Sequence, residues 1–159
     1  MRDAFGGIVN ITMIVVFLVV VSGYMAFNVT YTKAFRMKNE IIRRLEQYEG
    51  NCNESGDGVT CLNAINDYAK SIGYNLDVGE VNVDKEFPGS DGNGNGYCSK
   101  RGYCWARYSE DKTSGVVGNN KVYYKVKTKI VIEIPILQNI MENVNFFTLT
   151  GNTRLINGK

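Results

Sequence analysis

The chain has 159 residues and a net charge of +2, enough for one ordinary domain plus an appendage and with no global charge that points to nucleic acid or to a strongly acidic partner. It contains no histidine. That removes Ser-His and Cys-His nucleophile pairs, the commonest general base and the commonest neutral metal ligand, and so argues against hydrolase and metalloenzyme chemistry. No pair of Asp, Glu, Tyr or Lys residues stands at a spacing that recommends an active site, and no catalytic, cofactor-binding or metal-binding residue is assigned.

Arg2 and Asp3 are the only charged side chains before Lys33. Residues 8–27 read IVNITMIVVFLVVVSGYMAF, without charge or proline. At ~1.5 Å per residue this run covers about 30 Å, the thickness of a bilayer core, and predicts a transmembrane helix. A buried core helix is the alternative, but a soluble domain of this size has too few residues to surround it. A cleavable secretory signal competes as well. Its apolar region is shorter, about 7–15 residues, and ends in small residues, whereas Tyr24, Met25 and Phe27 stand at the end of this one.

The helical pattern continues past the apolar run. Ala34, Met37, Ile41, Leu45 and Tyr48 recur at three- and four-residue steps, with Lys38, Glu40, Arg43, Arg44 and Glu46 around the rest of the cylinder. Neither glycine nor proline interrupts residues 25–49, and Gly50 is the expected C′ residue. One helix over 8–49 is therefore expected, half in lipid and half beneath a domain formed by 50–159, with 1–7 a short leader or cytoplasmic tail.

Two signals for orientation conflict. Lys33, Arg36, Lys38, Arg43 and Arg44 follow the span while Arg2 alone precedes it, which by the positive-inside rule places the domain in the cytoplasm. Cys52, Cys61, Cys98 and Cys104 point outward, because an even number of cysteines in a small exported domain reads as a disulfide framework. Four cysteines allow three connectivities, of which two local loops, Cys52–Cys61 and Cys98–Cys104, are preferred. Zinc is a competing reading, although these spacings miss the short C-x₂₋₄-C knuckle, and free buried thiols in a cytoplasmic domain are another.

Residues 60–72 predict a second helix, with Leu62, Ile65, Tyr68, Ala69 and Ile72 on one face and Gly73 just past the end. Tyr74, Leu76 and Val78 alternate with polar residues as a short strand. Residues 88–96 (PGSDGNGNG) read as a loop that has one carboxylate and lacks the later glutamate of an EF-hand. Residues 103–108 form a candidate strand with Tyr103, Trp105 and Arg107 on one face. The clearest β signal covers 121–134, with Val122, Tyr124, Val126, Thr128, Ile130, Ile132 and Ile134 on one face. Tyr123, Lys125, Lys127, Lys129, Val131 and Glu133 occupy the other. The lysine stripe is read as a solvated face that discourages edge pairing, in preference to a nucleic-acid patch. Pro135 ends this strand, 136–143 form a short helix or turn, and 146–156 form a last strand, bulged at Gly151, that pairs back antiparallel. The fold class is α+β.

A short leader carrying Gly6-Gly7, an apolar helix continuing as an amphipathic one, a small domain and a closing pair of strands resemble, in this order, a type IV pilin-like protein. The stretches MRDAFGGIVNITMIVVFLVVVSGYMAFNVTYTKAFRMKN and VKTKIVIEIPILQNIMENVNFFTLTGNTRLI are similar to the minor pilins (pseudopilins) of the Tad, or tight-adherence, pilus, the TadE-like group. The resemblance implies a structural, non-catalytic envelope protein of a bacterium. It would be a single-pass protein with its domain outside the cytoplasm, and its partners would be membrane lipid, other pilin-like subunits packed through the N-terminal helix, and the pilus or secretion assembly machinery. It also implies Gly7 as the leader-processing position. Here the sequence departs from the family, since Thr12 is the fifth residue after Gly7 and no acid appears before Glu40, where the family carries a glutamate inside the apolar segment. Within the helix, Ser22 and Gly23 are small residues suited to close helix packing. A membrane-tethered binding or accessory subunit of a secretion or conjugation apparatus that never polymerises is the second reading.

Overall fold

In the computed structural model, residues 2–52, 56, 58–74, 76, 86–87, 96–109, 121–130 and 147–157 are described. Helix α1 (Arg2–Gln47) is continuous over 46 residues. It begins within the first seven residues, earlier than the apolar run alone implied. Its Ala34, Met37, Ile41 and Leu45 are fully buried, which bears out the periodicity over the second half. The helix ends at Gln47 rather than 49. Glu49 takes the left-handed conformation (φ 49°) and Gly50 follows with φ 80°. The Gly50 N–H donates to the Leu45 carbonyl across 2.7 Å, so Glu49, not Gly50, occupies C′.

Helix α2 (Gly58–Ser71) buries Leu62, Ile65 and Ala69 against α1, as its pattern predicts. It closes in a Schellman turn, with Gly73 N–H donating to Lys70 and Tyr74 N–H to Ala69.

Strands β1 (Gly96–Ser99), β2 (Tyr103–Ser109), β3 (Lys121–Ile130) and β4 (Phe147–Asn152) form an antiparallel sheet in that order, and the two-residue β5 (Ile156–Asn157) pairs with the start of β3. The fold is α+β. Alternation along β3 is as the period-two pattern requires, with Val122, Tyr124, Val126, Thr128 and Ile130 all buried. These side chains share one core with Tyr103, Trp105 and the buried faces of α1 and α2. The Tyr124 ring lies beside Gly50 while Thr128 reaches Ala34, so β3 runs back down α1 toward the apolar span.

Three expectations are corrected. Tyr74 and Leu76 belong to no strand; Tyr74 is instead buried with its hydroxyl 2.8 Å from the carbonyls of both Gly102 and Lys129. The irregularity of the last strand lies after Gly151 and not at it: register through Gly151 is regular, β4 stops at Asn152, and one extra residue is taken up before Ile156, since Lys125 faces Asn152 and Val122 faces Ile156. There Thr153 takes over the pairing, its N–H donating to the Tyr124 carbonyl and its hydroxyl accepting from the Tyr124 N–H, both at 2.9 Å. Finally, the lysine face is neither an edge nor simply solvated. β3 lies between β2 and β4, and Glu86 and Phe87 cover its second face. The loop of 88–95, the extension of β3 over 131–134, Pro135, the turn of 136–143 and residues 77–78 lie outside the described residues.

Candidate functional site: the apolar helix and its collar

From Ile8 to Val20 every residue of α1 is exposed, including Phe17, Leu18 and Met13 at 66%, 57% and 72%. A charge-free, predominantly apolar surface of this length, with none of the described residues outside the helix packed on it, calls for another apolar medium, since exposed patches of this kind mark membrane or protein contacts. Gly7–Gln47 is long and apolar enough to cross a membrane. Its Thr and Ser hydroxyls fit that setting, because Thr12 donates to the Ile8 carbonyl and Ser22 to the Leu18 carbonyl, which keeps both protons bonded in an apolar surround. Of the predicted packing positions, Ser22 is exposed and Gly23 half-buried, both within the span. Gly7 lies inside the helix with open space beside its Cα.

The four cysteines pair as two local loops. Cys52 joins Cys61, tying the segment after α1 to the first turn of α2, with Cα atoms 5.2 Å apart. Cys98 joins Cys104, directly opposite in the β1–β2 register, at 4.2 Å. This pairing displaces the zinc and free-thiol readings. Among the described residues no three His, Cys, Asp or Glu side chains come together as a metal site.

Charged groups lock the domain's two faces. On β3's outer face, Lys129 Nζ meets a Glu86 carboxylate oxygen at 2.8 Å and Lys127 Nζ the other at 3.6 Å, while Lys127 also donates to the Glu86 carbonyl and lies over the Phe87 ring. Burial raises the Glu86 pKa, but the Lys129 hydrogen bond and the two lysine charges outweigh it and hold the carboxyl below its ordinary value. On α1, hydrogen bonding from Arg43, against an opposing effect of burial and with help from Arg44, holds Glu40 low as well. Burial pushes the Tyr103 phenol up to about 12; its hydroxyl donates to Asn66 of α2 at 2.7 Å. The Glu86 and Tyr103 contacts tie separate elements together, whereas the Glu40 cluster lies within α1.

Where α1 leaves the apolar run, a groove of about 480 Å³ opens between it and the last turn of α2. The α1 wall carries Asn28, Thr32 and Arg36 on one helical row and Val29 and Lys33 on the next; Ser71 and Ile72 form the α2 wall. An aromatic row, Phe27, Tyr31 and Phe35, with ring centroids 6.1 and 6.4 Å apart, climbs α1 at the same level, and Lys38 Nζ sits over the Phe35 ring. Of the groove's residues the sequence singled out only Lys33, Arg36 and Ile72; the groove itself escaped it because α2 supplies the second wall.

Comparison with known proteins returned no matching family model, no matching curated protein and no matching solved structure.

Proposed function

We propose that this protein is a non-catalytic, membrane-anchored envelope subunit, a minor pilin or assembly component of a Tad-like type IV filament, with its disulfide-bearing domain outside the cytoplasm. The observation that supports the reading is the division of α1. One half is exposed, charge-free and predominantly apolar, and the other is the spine of a small α+β domain. A rigid rod of this kind suits a subunit that stands in lipid first and packs against neighbouring helices afterwards, exchanging lipid for protein contacts. The two disulfides favour an oxidising compartment over the cytoplasm, against the basic residues at the helix exit. The lack of any acid in α1 between Asp3 and Glu40 favours the second reading, a tethered accessory subunit that does not polymerise.

Gly23→Leu separates the two. The substitution keeps the span apolar but obstructs close helix approach. A filament subunit carrying it still reaches the membrane and disappears from sheared surface fibres, whereas a tethered module is unchanged. Equal recovery of variant and parent from sheared material counts against the packing role, and absence of both from that fraction selects the tethered module.

A further inference from the structure

We infer that the groove between α1 and the end of α2 is a binding site for the headgroup of an anionic phospholipid from the leaflet in which α1 stands; the inference rests on the membrane reading above. Its position comes first. If 8–27 fill the hydrocarbon core, Asn28 to Lys33 rise through roughly the next 2–9 Å, across the headgroup layer and its outer edge. The Arg36 backbone stands about 14 Å out with a long side chain that leans toward the N-terminal end of the helix, and α2 brings Ser71 and Ile72 to the same groove. Its chemistry comes second. The wall supplies two cations, Lys33 and Arg36, the Asn28 amide as a further donor, and no carboxylate, while the Thr32 and Ser71 hydroxyls already donate to the Asn28 and Tyr68 carbonyls. Among the described residues neither cation has an ion-pair partner, unlike Arg43, Arg44, Lys127 and Lys129, which all do. Lys33 reaches across to α2: its Nζ lies 3.4 Å from where a Gly73 β-carbon would stand, at the C-terminal turn of that helix. Arg36 offers a planar fork that matches a phosphodiester bidentately. The apolar Val29 and Ile72 fit the glycerol and upper acyl carbons. A zwitterionic lipid has the same phosphate but also a cation, which two unpaired basic side chains disfavour.

Full-length protein reconstituted in phosphatidylcholine bilayers with a small fraction of spin-labelled phosphatidylglycerol or spin-labelled phosphatidylcholine provides the test, reading the motionally restricted lipid at physiological salt. The anionic probe is expected to be favoured by about fivefold per basic side chain, the equivalent of ~1 kcal/mol each. Lys33→Gln with Arg36→Gln brings the two probes level, and Arg36→Gln alone, which leaves the α2 contact intact, removes part of the preference. Arg43→Gln with Lys121→Gln, an equal loss of charge away from the groove, changes nothing. Equal restriction of both probes by the parent protein, or a preference that survives the double substitution in the groove, overturns the site. Loss of the preference on adding millimolar inorganic phosphate assigns the groove to free phosphate and overturns the lipid. No restricted lipid of either kind means that α1 is not in the bilayer, so the membrane reading itself fails and this site with it.

Discussion

The Thr128 hydroxyl donates a hydrogen bond to the Ala34 carbonyl across 3.2 Å, joining a fully buried position of β3 to the stretch of α1 just above the apolar run. Through this contact and the packing around it, the domain is held at one height and rotation on the rod.

Thr128→Val keeps shape and volume but removes the donor. The Ala34 carbonyl is one of α1's own helical acceptors, so it is not orphaned, and the loss is expected to be about 1 kcal/mol. Denaturant melts of the protein in detergent measure it. A loss beyond about 3 kcal/mol would mean that the hydroxyl has a further partner.

Gly50 and Tyr124 touch more tightly. A β-carbon on Gly50 would fall 2.4 Å from the Tyr124 ring, at a backbone φ of +80°. Gly50→Ala therefore combines a left-handed penalty of about 1–2 kcal/mol with overpacking of about 1–3 kcal/mol against a rigid ring. Adding Tyr124→Val relieves the second part only, so the double variant should be more stable than additivity predicts. Gly151→Ala is the contrasting case. Its new methyl meets the ends of the flexible Ile42 and Lys38 side chains at 2.9 and 3.1 Å, and a loss below about 1 kcal/mol is expected.

Removing the Cys52–Cys61 bridge with paired serines frees a loop of nine-residue separation and, on the chain-entropy estimate, lowers stability by about 2–3 kcal/mol. Non-reducing peptide mapping shows the linkage directly, and a Cys52 peptide joined to Cys98 or Cys104 would refute the connectivity.

Acid should loosen the domain through Glu86 and Glu40. Both carboxyls are held below their ordinary values in the folded state, so the unfolded chain binds their protons first as pH falls. Their stabilisation is fully present above the ordinary carboxylate range, about pH 4.3, and is lost as pH drops through the lower folded values. Glu86→Gln is expected to cost about 1 kcal/mol at neutral pH and to flatten the acid limb of a plot of melting temperature against pH. An unchanged acid limb would show that Lys127 and Lys129 do not stabilise the ionised form.

What the sequence determined by itself is local and periodic. The charge-free run, the three- and four-residue recurrence from Ala34 to Leu45 and the alternation from Val122 to Ile130 each report an element and its buried face, because helix and strand periods are set by the backbone. The two disulfides were legible for a related reason, since both close short loops. Tertiary structure decided the rest. Tyr74, with an alternation that mimics a strand, spends its hydroxyl on carbonyls from two distant segments, Gly102 and Lys129. Thr153 replaces a strand residue because its side chain, not its backbone alone, pairs with Tyr124. Glu86 and Phe87 turn the lysine stripe of β3 into a covered face, and α2 gives Lys33 and Arg36 a second wall. Each of these joins residues tens of positions apart, and pattern along the chain carries no record of which distant group will arrive to satisfy a hydrogen bond, a charge or a groove.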